Sequence, residues 1–112
     1  MLIDFTFSNF LSFKSEQQFS MQRTKAEAAK HFRDSWRHNE LSTVTGIYGA
    51  NASGKSSAIA AITFLVTYVA EGMLRASSER GTGRTAFALD PACKHLPSDF
   101  LIVFYGKDDK KY

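Results

Sequence analysis

Residues 49–56 read Gly-Ala-Asn-Ala-Ser-Gly-Lys-Ser, and no other stretch narrows so sharply what the chain can fold into. The run fits the pattern G-x-x-x-x-G-K-[ST] with nothing left over, and Ser57 follows it. Each fixed position answers a physical need. Gly49 and Gly54 permit backbone angles that side chains disfavour, so the N–H groups of Ala50, Asn51, Ala52 and Ser53 can turn inward on phosphate oxygens. A helix starting just after Gly54 adds unpaired N–H donors and the positive end of its dipole. Lys55 is then within reach of β- and γ-phosphates, the Ser56 hydroxyl is a ligand for Mg²⁺, and Ser57 is placed for the α-phosphate. Residues 49–57 therefore predict a phosphate-binding loop for a magnesium nucleotide.

The flanks agree with that reading. Ser-Thr-Val-Thr-Gly-Ile-Tyr at 42–48 is a short β-rich run that predicts a strand stopping at Gly49. From Gly54 a helical pattern runs to about Arg75, with Ile59, Ile62, Val66, Val69 and Met73 at three- or four-residue steps as its packed face. Near the N-terminus Ile3, Phe5 and Phe7 alternate with Asp4 and Thr6, which predicts a half-buried strand. Gln18, Phe19, Ser20 and Met21 can return as the second strand of a hairpin. Asp99 to Tyr105, with Leu101 to Phe104 contiguous, is the best candidate for a buried strand, and Phe87 to Asp90 for a short one before Pro91. Gly106-Lys107-Asp108-Asp109 reads as a turn into a returning strand at 110–112.

Composition sets outer bounds. The 112 residues suffice for one small domain, and ten Phe with four Tyr argue for a packed core. Cys93 is the only cysteine, which excludes an internal disulfide and points to a reducing compartment, hence the cytoplasm. The apolar run from Ala58 to Ala70 is too short to cross a bilayer, and the first residues lack the positive flank of a signal peptide, so no membrane partner is expected. The net charge of +3 is compatible with nucleic acid without requiring it.

The words around the loop add a resemblance. Gly49, Asn51, Ser53, Gly54, Lys55, Ser56 and Ser57 stand as in the G-x-N-x-[SA]-G-K-[ST]-[ST] loop of SMC-type ABC ATPases. Ile3 to Phe13 resembles that group's first strand and its Asn-Phe-x-Ser-Phe signature. Phe87-Ala88-Leu89-Asp90 followed by Pro97-Ser98-Asp99-Phe100 is similar to the branch serving bacterial antiviral defence and abortive infection, related to the overcoming-lysogenization-defect nucleases. The resemblance implies an α/β fold: a P-loop NTPase half-domain, with an antiparallel β-subdomain beside the P-loop strand and helix. It implies ATP and Mg²⁺ as ligands, Asn9, Ser12 and Phe13 as contacts to base or sugar, two heads closing over two ATP molecules as a homo-oligomer, and an effector protein. Spacing alone places Phe10 and Phe13 in a core. Two departures stand out: Leu11 occupies a position that is basic in many relatives, and the signature motif, Walker B acids and catalytic glutamate have no counterpart before Tyr112. No catalytic residue is thus assigned in this segment. The expectation is that 1–112 form the N-terminal part of one ATPase head.

Weaker signals keep their bland alternatives. The basic stretch 23–38 is a candidate for nucleic-acid contact, but composition favours a solvated linker, since only Phe32 and Trp36 interleave the charges. Cys93 and His95 lack a second pair of metal ligands. Two rival functions remain: a small P-loop kinase or GTPase, whose lid and Asn-Lys-x-Asp motif are missing, and an assembly module that holds ATP without hydrolysing it.

Overall fold

The computed structural model describes residues 1–24, 40–75 and 81–112. Its centre is a three-stranded antiparallel sheet in the order β2-β1-β3, with β1 at Leu2–Phe7, β2 at Gln17–Ser20 and β3 at Phe100–Phe104. The alternation in β1 does what it predicts: Ile3, Phe5 and Phe7 are buried on one face while Leu2, Asp4 and Thr6 are only partly covered. Opposite Phe5 stand Phe19 on β2 and Ile102 on β3, and opposite Phe7 stand Gln17 and Phe100.

A long helix, α1 at Lys55–Arg75, lies against the aromatic face. Fully buried Ala61 lets it approach closely, flanked by Ala58, Ile62 and Leu65. Phe64 completes an aromatic cluster, with ring centroids 5.2 Å from Phe10 and 5.3 Å from Phe100.

Several expectations need correction. The helix buries Ala58, Ala61, Ile62 and Leu65, whereas Ile59, Val66 and Val69 are more than half exposed. Apolar residues surround most of α1, so periodicity alone could not select the face; the buried one centres on the small Ala61. The exposed side lines an open, mostly apolar groove of about 720 Å³ from Ser56 to Gly72 and Thr82. β3 forms where expected but is an edge strand, with Leu101, Ile102 and Phe104 exposed. Residues 42–48 form no strand: Val44 and Tyr48 are 79% and 94% exposed, and a strand needs a neighbour to receive its backbone bonds. Residues 87–90 are not a strand either. They turn into a 3₁₀ helix at Pro91–His95, capped by the Asp90 carboxylate on the Ala92 N–H at 3.0 Å.

The C-terminal turn is as expected. Phe104 and Tyr112 exchange backbone bonds of 3.1 and 2.9 Å, and Asp109 takes φ 58° in the turn between them. Of the basic stretch 23–38, residues 25–38 lie outside the described residues.

Candidate phosphate-binding site

The loop at 49–54 closes on itself just before α1. Ser53 N–H donates to the Ala50 carbonyl at 3.2 Å, and the helix ladder opens with Ala58 N–H on Gly54 at 3.0 Å. Ala52 at φ 63° and Gly54 at φ 92° supply the left-handed steps that turn the chain. A Cβ on Gly49 would sit 2.6 Å from Ser53 Oγ, so this glycine lets the two ends of the loop approach. Lys55, first in α1, folds back and donates to the Gly49 and Ala50 carbonyls at 2.8 and 2.6 Å. The first N–H groups of α1 have no intrahelical acceptor, and the positive end of the helix dipole lies with them.

Ser56 is exposed on the first turn of α1, with its hydroxyl available to a hard cation. Among the described residues no cluster of three His, Cys, Asp or Glu side chains could hold a metal by itself. A single hydroxyl suits Mg²⁺ in one setting: the ion keeps water and phosphate oxygens as its other ligands. The donor set at the loop therefore fits a magnesium polyphosphate. The apolar groove along α1 shares only Ser56 with the loop and is not this site.

The tip of the β1–β2 hairpin meets the loop. Phe10 and Phe13 exchange backbone bonds of 2.9 and 3.0 Å around a tight turn at Leu11 and Ser12, with Leu11 at φ 49°. Ser12 Oγ lies 2.8 Å from Ser57 Oγ, and Phe13 packs on Gly54. Two of the three residues that the resemblance implied for base or sugar thus stand beside the phosphate loop.

Asn9 does something sequence reasoning missed. It is 5% exposed, and its Nδ2 donates to the carbonyls of Cys93, Pro97 and Leu96 at 2.8, 2.9 and 3.1 Å. Its Oδ1 accepts the Phe87 N–H at 3.1 Å. Three carbonyls facing one atom require it to be the amide nitrogen. The side chain is fully occupied in tying residues 87–97 to the end of β1, and none of its N–H groups is left for a ligand.

Other bonds reinforce that tie. Arg84 reaches the Leu96 and Lys94 carbonyls at 2.6 and 3.0 Å and Ser98 Oγ at 3.1 Å. Ser98 Oγ in turn donates to the Asn9 carbonyl. Lys14 and Asp90 form a 2.6 Å ion pair. The Lys14 hydrogen bond, then the Ala92 N–H, hold the Asp90 carboxyl below its ordinary range, and Asp90 raises Lys14 in return. The one hint in the sequence was Asp90 before Pro91, a capping pair that starts a short helix.

Residues 44–112 match the family described as "AAA domain, putative AbiEii toxin, Type IV TA system". That match spans most of the chain, and the protein belongs to this family. It is a P-loop ATPase-like family linked to abortive infection, which implies nucleotide binding. No curated protein and no solved structure matches the chain. Among the described residues no helix is long and apolar enough to cross a membrane.

Proposed function

We propose that this chain binds Mg-ATP through residues 49–57 as the N-terminal part of an ABC/SMC-type ATPase head, in a prokaryotic anti-phage defence system related to the overcoming-lysogenization-defect nucleases. The carrying observation is the loop that opens onto the N-terminus of α1, with Lys55 free to exchange two carbonyl partners for phosphate oxygens. In this reading the N–H groups of 50–55 surround the β-phosphate, Lys55 bridges β and γ, Ser56 ligates Mg²⁺ and Ser57 takes the α-phosphate. The exchange trades two bonds from the ammonium to neutral carbonyls for bonds to anionic phosphate oxygens, where both partners are charged, and that difference makes it favourable. Two copies closing face to face over two nucleotides would pass the bound state to an effector protein, and the basic stretch 23–38 would contact nucleic acid if the trigger is one.

Calorimetric titration of the intact protein with Mg-ATP tests the core of this reading. Wild type should bind, and Lys55→Ala should lose at least about two orders of magnitude in affinity, the scale of two charge-assisted bonds at 1.5–3 kcal/mol each. Near-normal binding by a folded Lys55→Ala protein would remove it.

A further inference from the structure

The hairpin tip touches the phosphate loop with an aromatic side chain, and that contact has a specific geometry. A Cβ built on Gly54 would lie 2.5 Å from Phe13 Cζ and 3.1 and 3.2 Å from its two Cε atoms, so the tip of the ring abuts the Gly54 backbone. Behind the contact, the Phe13 ring meets buried Phe7 edge to face, with centroids 5.4 Å apart and planes at 81°. Beside it, the Ser12 and Ser57 hydroxyls share a hydrogen bond. The tip itself is pinned from the other side by Leu11 N–H on the Thr85 carbonyl at 3.0 Å, by the Asn9 amide and by the Lys14–Asp90 pair.

We infer that Phe13 is a positioning residue for the phosphate site: it wedges Gly54 into its left-handed conformation and so aims the first N–H groups of α1 at the polyphosphate. The inference rests on the phosphate-loop reading above. A glycine gives the turn that the loop needs, but it also gives the loop other conformations at little cost. An unsupported Gly54 spreads over several of them, and apparent affinity falls in proportion to the competent fraction. A ring backed by the sheet core restricts that spread. The Ser12–Ser57 bond fixes the first turn of α1 against the same tip. This role concerns the phosphates and leaves the base out.

The test compares Mg-ATP and inorganic magnesium triphosphate as ligands of the intact protein, in wild type and in Phe13→Ala, Phe13→Leu, Phe19→Ala and Lys55→Ala. Phe13→Ala should weaken both ligands by the same factor, about tenfold for a competent fraction near one tenth. Phe13→Leu, which keeps an apolar wedge, should recover most of that loss. Phe19→Ala removes a ring from the same core away from the loop, and should lower the melting temperature without changing either affinity. A loss confined to Mg-ATP would assign Phe13 to the base and overturn the wedge. Unchanged affinities in Phe13→Ala, or equal losses in Phe19→Ala, would overturn it as well. If wild type binds no triphosphate, or Lys55→Ala binds it normally, the phosphate-loop reading falls and takes the wedge with it; a normal Lys55 effect with no Phe13 effect removes the wedge alone.

Discussion

Replacing Asn9 by Ala should destabilise the protein far more than a polar residue next to a turn ordinarily does. The side chain satisfies three carbonyls and one N–H. Its amide has only two hydrogens to give, so the effective count is about three bonds, each worth about 0.5–1.5 kcal/mol net. The Cys93 bond is fully buried, so its carbonyl is left without water to replace the lost donor. Asn9 also sits at φ 47°, where asparagine is tolerated better than alanine. The sum is about 2–4 kcal/mol, a shift of roughly 1–2 M in the urea midpoint at a slope near 2 kcal/mol/M. Asn9→Asp should cost at least as much, because it turns a carboxylate oxygen toward three carbonyls. Unfolding followed by far-UV circular dichroism reads both. A loss under about 0.5 kcal/mol for Asn9→Ala, the range of ordinary surface changes, would refute the clamp.

Gly54→Ala should abolish tight Mg-ATP binding, since its Cβ meets the Phe13 ring and its φ of 92° is costly for any side chain; nucleotide titration checks this, and near-wild-type affinity would contradict the loop geometry. Ser56→Ala should reduce the dependence of ATP affinity on magnesium while leaving magnesium-free binding nearly unchanged, as parallel titrations with and without the metal would show. The Lys14–Asp90 pair sets a pH dependence. Asp90 is depressed in the folded state, so its contribution is complete above its ordinary value of 3.8 and is lost as pH falls through the lower folded value. Lys14 is raised, so its contribution is complete below 10.5 and is lost at higher pH. Asp90→Asn should therefore flatten both the acid and the alkaline limb of a stability profile, with little effect on its shape between roughly pH 5 and 9.

What could be read from the sequence divides along physical lines. Patterns fixed by local geometry were legible. The alternation of β1, the return at Phe19, the helix beginning after Gly54 and the turn at 106–109 all depend on near neighbours. Features decided by distant partners were not. The 42–48 run has strand composition, yet among the described residues it forms no ladder; Ser42 N–H on the Met21 carbonyl at 2.7 Å ties down its first residue. The buried side of α1 centres on Ala61 in the sheet's aromatic cluster, a choice that a period of 3.6 cannot foresee. At the site, the backbone was legible: the turn with positive φ at Ala52 and Gly54 and the helix start at Lys55 fall where the motif at 49–57 puts them. Asn9 was not, because its role lies in four partners some 80 residues away in sequence. Phe13 read as a core residue by spacing and as a base contact by resemblance, and its place against Gly54 depends on how the hairpin tip meets a loop some 40 residues away in sequence.

A crystal structure of the intact protein with a non-hydrolysable ATP analogue and Mg²⁺ would show whether residues 49–57 hold a magnesium polyphosphate. Lys55 Nζ should be released from the Gly49 and Ala50 carbonyls and lie within hydrogen-bond distance of β- and γ-phosphate oxygens, with Ser56 Oγ on the metal. Nucleotide bound elsewhere, with Lys55 still on those two carbonyls, would contradict it.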